Sequence, residues 1–213
     1  MGLHRFTDSR RPCGVVGVLI AFALGVGMLS ACDDGASPEP SPDTSSSAEV
    51  DTPEPTADYT IPPRPQDVRK PEEPELTAID IDNAYELARY YLDLYPYVKA
   101  TGDTAEWEKY AHPECEYCAT VIEAAEVENE SGAWAEFKLG IVDDAVFTST
   151  GDIDFRIDFL VDRDEIVFYG PEGEVRTDPA EHSVVIGLKE VDGNLKVRSF
   201  DILVPEVFGK ADL

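Results

Sequence analysis

The sequence predicts an α+β domain, with helices first and an antiparallel sheet after. Three observations carry this. Between residues 80 and 130 apolar residues recur three or four apart; after Gly132 they alternate; and turn-forming residues punctuate the alternating half. Helices followed by strands, rather than interleaved with them, give α+β and not a parallel α/β sheet. About 130 residues is enough for one core. The domain is expected over 78–213, with helices in 80–130 and strands in 133–204. Two other kinds of segment precede it.

The first segment, 1–31, reads as a lipoprotein signal peptide. Arg5, Arg10 and Arg11 face one acid, Asp8, and an apolar run follows from Val15 to Met28. A basic start, a short apolar centre and a small-residue exit are the layout of a secretory signal. Leu29-Ser30-Ala31-Cys32 resembles the bacterial lipobox, at which the peptide is cut and the new N-terminal cysteine is acylated. Asp33-Asp34 directly after it cannot stay in a bilayer, and glycines at 14, 17, 25 and 27 argue against an uncleaved membrane anchor. The expected partner of Cys32 is therefore the membrane, held through two or more acyl chains on the extracytoplasmic face.

The second segment, 32–77, is expected to be a disordered stalk. Ten of the sixteen prolines lie in it, with Ser, Thr and Glu between them and almost no large apolar residues. Such a composition cannot bury enough surface to offset its ordering entropy, and proline keeps it extended.

Charge excludes some functions. The chain carries 44 acids against 17 bases, a net −27, and loss of residues 1–31 removes three bases and one acid to leave −29. Nucleic acid and other polyanions repel such a surface and are not expected partners.

Within the domain, Asp80 and Asp82 are N-cap residues for a long helix to about Ala100. Ala84, Leu87, Tyr91, Leu94, Tyr95 and Val98 form its apolar stripe. Pro96 is expected to kink it or to start a new turn. Tyr91 and Tyr95 are the candidates to line a ligand cavity, although a tyrosine row is more often core with its hydroxyls reaching outward. Thr101-Gly102-Asp103 ends this helix, and a short one capped by Thr104 runs to Tyr110. A third is expected from about Cys118 to Asn129, closed by Gly132.

Once Cys13 leaves with the signal and Cys32 is acylated, Cys115 and Cys118 are the remaining pair, in an oxidising compartment. The favoured reading is a structural disulfide pinning the turn between the second and third helices. Thiol–disulfide exchange is a second reading, because this spacing at a helix start lowers a thiol pKa. Zinc held by His112, Cys115, Cys118 and His182 is a third, but half of the usual ligand set is missing. No metal or other cofactor is expected.

In the strand half, Phe155, Ile157, Phe159 and Val161 share one face, while Asp154, Arg156 and Asp158 share the other, which is expected to be wet. Asp152, Asp154, Asp158, Asp162, Asp164 and Glu165 therefore read as a solvated row rather than a calcium loop. Gly170-Pro171-Glu172-Gly173 and Asp192-Gly193-Asn194 are turns, the second a hairpin between Val184–Leu188 and Leu195–Val204. Asp201 is the nearest candidate for a catalytic carboxylate, but its parity places it outside the sheet.

Ala84 with Tyr90-Tyr91, then Thr101-Gly102-Asp103, then Cys115-x2-Cys118, behind a proline-rich stalk on a lipobox, resembles an actinobacterial lipoprotein family of unknown function, domain-of-unknown-function family 6318. The helices-then-sheet order is also similar to the nuclear-transport-factor-2-like cone. The first resemblance implies no activity. The second implies a curved, cone-like sheet and a pocket between sheet and helices, used for binding or catalysis. The expected function is a non-catalytic envelope lipoprotein whose domain binds a small ligand or an envelope protein. An enzyme using the cone, or a redox protein using Cys115 and Cys118, are the alternatives. An inward-facing histidine or carboxylate, which the enzyme would need, is not evident in the sequence.

Overall fold

The computed structural model describes residues 59–149 and 151–210; the lipobox, Cys32 and the first part of the stalk lie outside the described residues. Three helices, α1 (Ile81–Thr101), α2 (Ala105–Tyr110) and α3 (Glu116–Ser131), precede seven strands. These are β1 (Trp134–Glu136), β2 (Leu139–Thr148), β3 (Phe155–Arg163), β4 (Ile166–Gly170), β5 (Gly173–Thr177), β6 (Ala180–Val191) and β7 (Asn194–Leu203). The architecture is α+β, as the change of period predicts.

Helix α1 starts where its cap residue dictates. The Asp80 carboxylate accepts the Asn83 amide hydrogen at 3.0 Å, satisfying one of the four N–H groups that every helix start leaves without a partner. It ends at Gly102, whose φ of 72° is the left-handed conformation that glycine adopts most readily. The helix runs through Pro96 without a second start, forgoing only the bond that this nitrogen would have given to Leu92. Its stripe is buried as expected: Ala84, Leu87, Tyr91, Leu94 and Val98 are all solvent-free. Helix α3 begins two residues earlier than expected, because Cys115 serves as its N-cap and its sulfur accepts the Cys118 amide at 3.3 Å.

The strands pair antiparallel throughout, in the orders β2-β3-β6-β7 and β1-β4-β5. The second sheet continues the first. β1 leads into β2, β3 into β4 and β5 into β6 through breaks of two residues, at 137–138, 164–165 and 178–179. All three breaks fall side by side, so one curved sheet bends sharply along that line. The β6–β7 hairpin turns at Asp192 and Gly193, both with positive φ (52° and 79°), the type I′ geometry that Asp-Gly favours. Phe159, Ile157, Ile186, Val197 and Phe200 on the concave face meet α1 and form the core.

The other face of β3 differs from expectation. Asp158 is fully buried and Arg156 nearly so, and they form a bidentate ion pair with both contacts at 2.7 Å. A short 3-10 turn, Pro205–Val207, and the residues after it fold back over this face, where the Gly209 amide donates to Asp158 Oδ2 at 3.2 Å. Phe147 lies under the Arg156 guanidinium at 5.2 Å. The C-terminal segment therefore dries a face that alternation alone marks as wet.

Residues 59–77 belong by composition to the stalk, yet they lie against the domain as an extended strap. Arg64 carries most of this. Its Nη1 donates to Thr101 O at 2.6 Å and to Asn129 Oδ1 at 2.5 Å, and its Nη2 donates to Ala133 O. A cation thus sits where the C-terminal ends of α1 and α3 meet, both of which leave carbonyls without helical partners. The Trp134 indole donates to Pro62 O at 2.8 Å. Further along, Glu73 pairs with Lys109 and accepts the Tyr110 hydroxyl, Lys70 pairs with Glu106, and Leu76 packs on the core.

Candidate functional site

The bend in the sheet opens a cavity of about 260 Å³ between α1 and the concave face. Helix α1 contributes Leu92 and Tyr95, about one turn apart; Val161, Val184 and Phe200 contribute the apolar wall from β3, β6 and β7. The aromatic packing behind that wall is dense. Tyr91 stacks on Trp107 with centroids 4.0 Å apart, Tyr117 stacks on Phe200 at 5.2 Å, and Tyr95 lies 5.9 Å from Phe200. Phe200 therefore joins the core to the cavity.

Two basic side chains complete the lining, Arg163 at the end of β3 and His182 near the start of β6. In register Val161 faces His182 and Arg163 faces Ala180, so Arg163 and His182 are diagonal neighbours on one face. Arg163 Nε donates to His182 Nε2 at 3.5 Å, Nη1 donates to Asp164 O at 2.7 Å and Nη2 to Asp178 O at 2.8 Å. Both carbonyls belong to residues in the breaks between strands, so the bend itself holds the guanidinium. Tyr95 supplies the third polar group. Its hydroxyl oxygen accepts the Tyr117 hydroxyl at 3.0 Å, and burial, reinforced by that neighbour, pushes the Tyr117 pKa well up.

The residues singled out in the sequence distribute unevenly around this site. Tyr95 lines the cavity. Tyr91 does not: it is fully buried behind the wall, its hydroxyl donates to Trp107 O at 3.2 Å, and desolvation raises its pKa. Cys115 and Cys118 form a disulfide with the sulfurs 2.00 Å apart. Both cysteines are buried, at 2% and 1% exposure, with the Trp107 indole donating to Cys118 O at 3.2 Å. Sulfurs bonded to each other are not thiolate ligands, so the zinc set with His112 and His182 is not assembled. Buried sulfurs also lack the access that exchange chemistry needs. Asp201 lies on the convex side opposite Val185, as its parity indicates, and desolvation raises its pKa.

Arg163 and His182 are what the sequence reading missed at this site, and the signal was present. The inward set Phe155, Ile157, Phe159, Val161 leads to Arg163 at the next inward position. His182 likewise precedes Val184, Ile186 and Leu188. A charged residue at a strand end reads as exposed, whereas here the strand ends fall at a bend that faces the helix.

Solved structures of similar fold are known. The intermembrane space region of the chloroplast protein ARC6 is similar in structure at a TM-score of 0.46 and 9% identity, over 60% of this chain and 99% of that one. Aln2 from a Streptomyces species aligns at 0.38 and 11%, over 62% of this chain and 96% of its own. A protein from Catenulispora acidiphila in complex with S-DNPA aligns at 0.37 and 12%, over 57% and 93%. No curated protein matches the sequence. A family model described as a family of unknown function, DUF6318, matches residues 59–189. That match begins at the strap, takes in all three helices and the cysteine pair, and reaches through most of β6. The chain belongs to the DUF6318 family.

Proposed function

We propose that this chain is an actinobacterial envelope lipoprotein, acylated at Cys32, whose nuclear-transport-factor-2-like domain binds a small ligand on the extracytoplasmic face without transforming it. The lipobox and the basic, apolar leader support the anchor. Among the described residues, no helix is long and apolar enough to cross a membrane. The observation that carries the binding role is the cavity between α1 and the bend, apolar along its wall and polar at Arg163, His182 and Tyr95. An apolar hollow with a few convergent polar groups is the usual form of a small-molecule site.

Two experiments test the two halves of this reading. An alkyne fatty acid fed to a bacterial host should label the wild-type chain and not Cys32→Ala, which should leave the membrane fraction; label on the variant would refute the anchor. Titration with indole, a small neutral probe, should shift the NMR signals of Tyr95 and Phe200 in the wild-type chain. Val184→Phe, which fills the hollow from its wall, should abolish those shifts; unchanged shifts would place the probe elsewhere.

A second reading, an enzyme in the same cavity, draws on one observation: an imidazole lies there beside a guanidinium, at 3.5 Å. A general base must reach a proton of its substrate. Recovery of a bound ligand chemically unchanged after prolonged incubation favours binding, and its conversion favours the enzyme.

A further inference from the structure

We infer that the ligand of this cavity is a small monocarboxylate with an apolar body, its carboxylate held by Arg163 beside His182. The inference rests on the binding role proposed above and specifies its chemistry.

The first argument is charge. Acids outnumber bases 44 to 17 in this chain, and three other arginines take acidic partners: Arg156 has Asp158, Arg176 has Glu165 and Glu174, Arg198 has Asp152 and Glu114, while Arg64 at the strap is, like Arg163, held by neutral acceptors. Arg163 is half-buried in the cavity lining, yet among the described residues its partners are two backbone carbonyls and an imidazole nitrogen, and none of them is charged in accepting these bonds. A guanidinium carries five N–H groups, and three are engaged, one on each nitrogen. One Nη1 hydrogen and one Nη2 hydrogen are left to donate to a carboxylate. The carbonyl contacts hold the fork in place before any ligand arrives, which lowers the ordering cost of binding.

The second argument is shape. A volume of 260 Å³ corresponds to about nine water-sized groups, too small for a lipid chain and large enough for a benzoate or a hexanoate. Leu92, Val161, Val184 and Phe200 offer the apolar body no polar partner, so a sugar or a polyol would strand hydroxyls there. A phosphate dianion brings more charge than one cation matches in a largely apolar hollow, and its desolvation is the larger penalty. A single carboxylate on an apolar body satisfies both ends.

The test titrates the full chain by NMR with benzoate and hexanoate, and with benzamide and hexanamide as neutral counterparts of the same shape. Saturable shifts at Arg163, His182, Tyr95 and Phe200 are expected with the acids. The amides should bind at least about tenfold more weakly, the loss expected for charge-assisted hydrogen bonds. Arg163→Gln should weaken the acids by a similar factor and the amides by clearly less, so that the acid-to-amide ratio falls; should that variant unfold, the ratio on the wild-type chain decides alone. Equal binding of acids and amides, or amides without acids, overturns the carboxylate proposal and leaves the cavity as a binding site. Binding of neither class, with indole also silent, overturns both.

Discussion

Asp158 and Arg156 show how far one substitution propagates when a charge has no route to water. Asp158 has no exposed surface, and its two oxygens accept from Nε and Nη2 of Arg156. Removing one partner of a buried pair leaves the other uncompensated, so Asp158→Asn should destabilise the domain by about 3–5 kcal/mol. Exchange of both for apolar residues of similar volume should recover much of that loss, and urea unfolding of the single and double variants checks both expectations. The cysteines behave differently. Closing a loop of about four residues restricts the unfolded chain by only about 2 kcal/mol, against total stabilities of ~5–15 kcal/mol, so the Cys115→Ser, Cys118→Ser double variant should fold. In the wild-type chain mild reductant should reach the buried sulfurs only as the domain unfolds, and the reduction rate should follow denaturant concentration. Fast reduction without denaturant would count for the exchange reading. Alternation made the apolar inward residues of β3 and β6 legible; Arg163 and His182 continue the same faces but were missed, because charged residues at strand ends read as exposed. The burial of Asp158 was not legible, because the cover comes from residues 205–209, and the strand's own pattern carries no trace of a distant segment.

At the scale of elements, α1 and the β6–β7 hairpin were readable because each has local punctuation: Asp80 and Gly102 for the helix, Asp192-Gly193 for the hairpin. The strap lacks such signals. Its proline-rich composition marks a segment without a core of its own, and nothing in it signals that residues 59–77 dock on the domain through one arginine, one indole, a few ion pairs and Leu76. Arg64→Ala should therefore free residues 59–77 while leaving α1 and the sheet in place. Hydrogen exchange should rise in the strap and stay unchanged at the buried amides of β3 and β6. In the wild-type chain limited proteolysis should leave a fragment beginning by about Tyr59, and in the variant one beginning near Leu76. Gly102→Ala should do similar damage for a different reason. An added Cβ would stand 1.9 Å from both Arg64 Nη1 and Asn129 Oδ1, at a φ of +72° that side chains seldom adopt.

The whole molecule is acidic, yet its most pH-sensitive seam should be where an acid is held by basic and hydroxyl partners. Hydrogen bonds from Lys109 and then Tyr110 lower the Glu73 pKa, while burial and the same carboxylate push Tyr110 up to about 12. A depressed carboxylate stabilises the folded state above its unfolded value of about 4.3, and that contribution is lost as pH falls through the lower folded value. Acidification below about pH 4 should thus loosen the strap before the core. The Trp134 indole signal, which reports the bond to Pro62, should move toward its free position in that range; an indole signal that holds until global unfolding would contradict this.

The strap also decides how the domain meets mechanical load. A pull from the N-terminal side arrives at Pro62 and Arg64 before it can reach Ile81, the first residue of α1. Those contacts are a few hydrogen bonds, far weaker than the packed helix behind them. They should part first and release slack of about 60 Å at most from residues 64–80 at ~3.3–3.6 Å each. The strap is in effect a shock absorber in series with the fold, extending under tension while the cavity behind it keeps its shape.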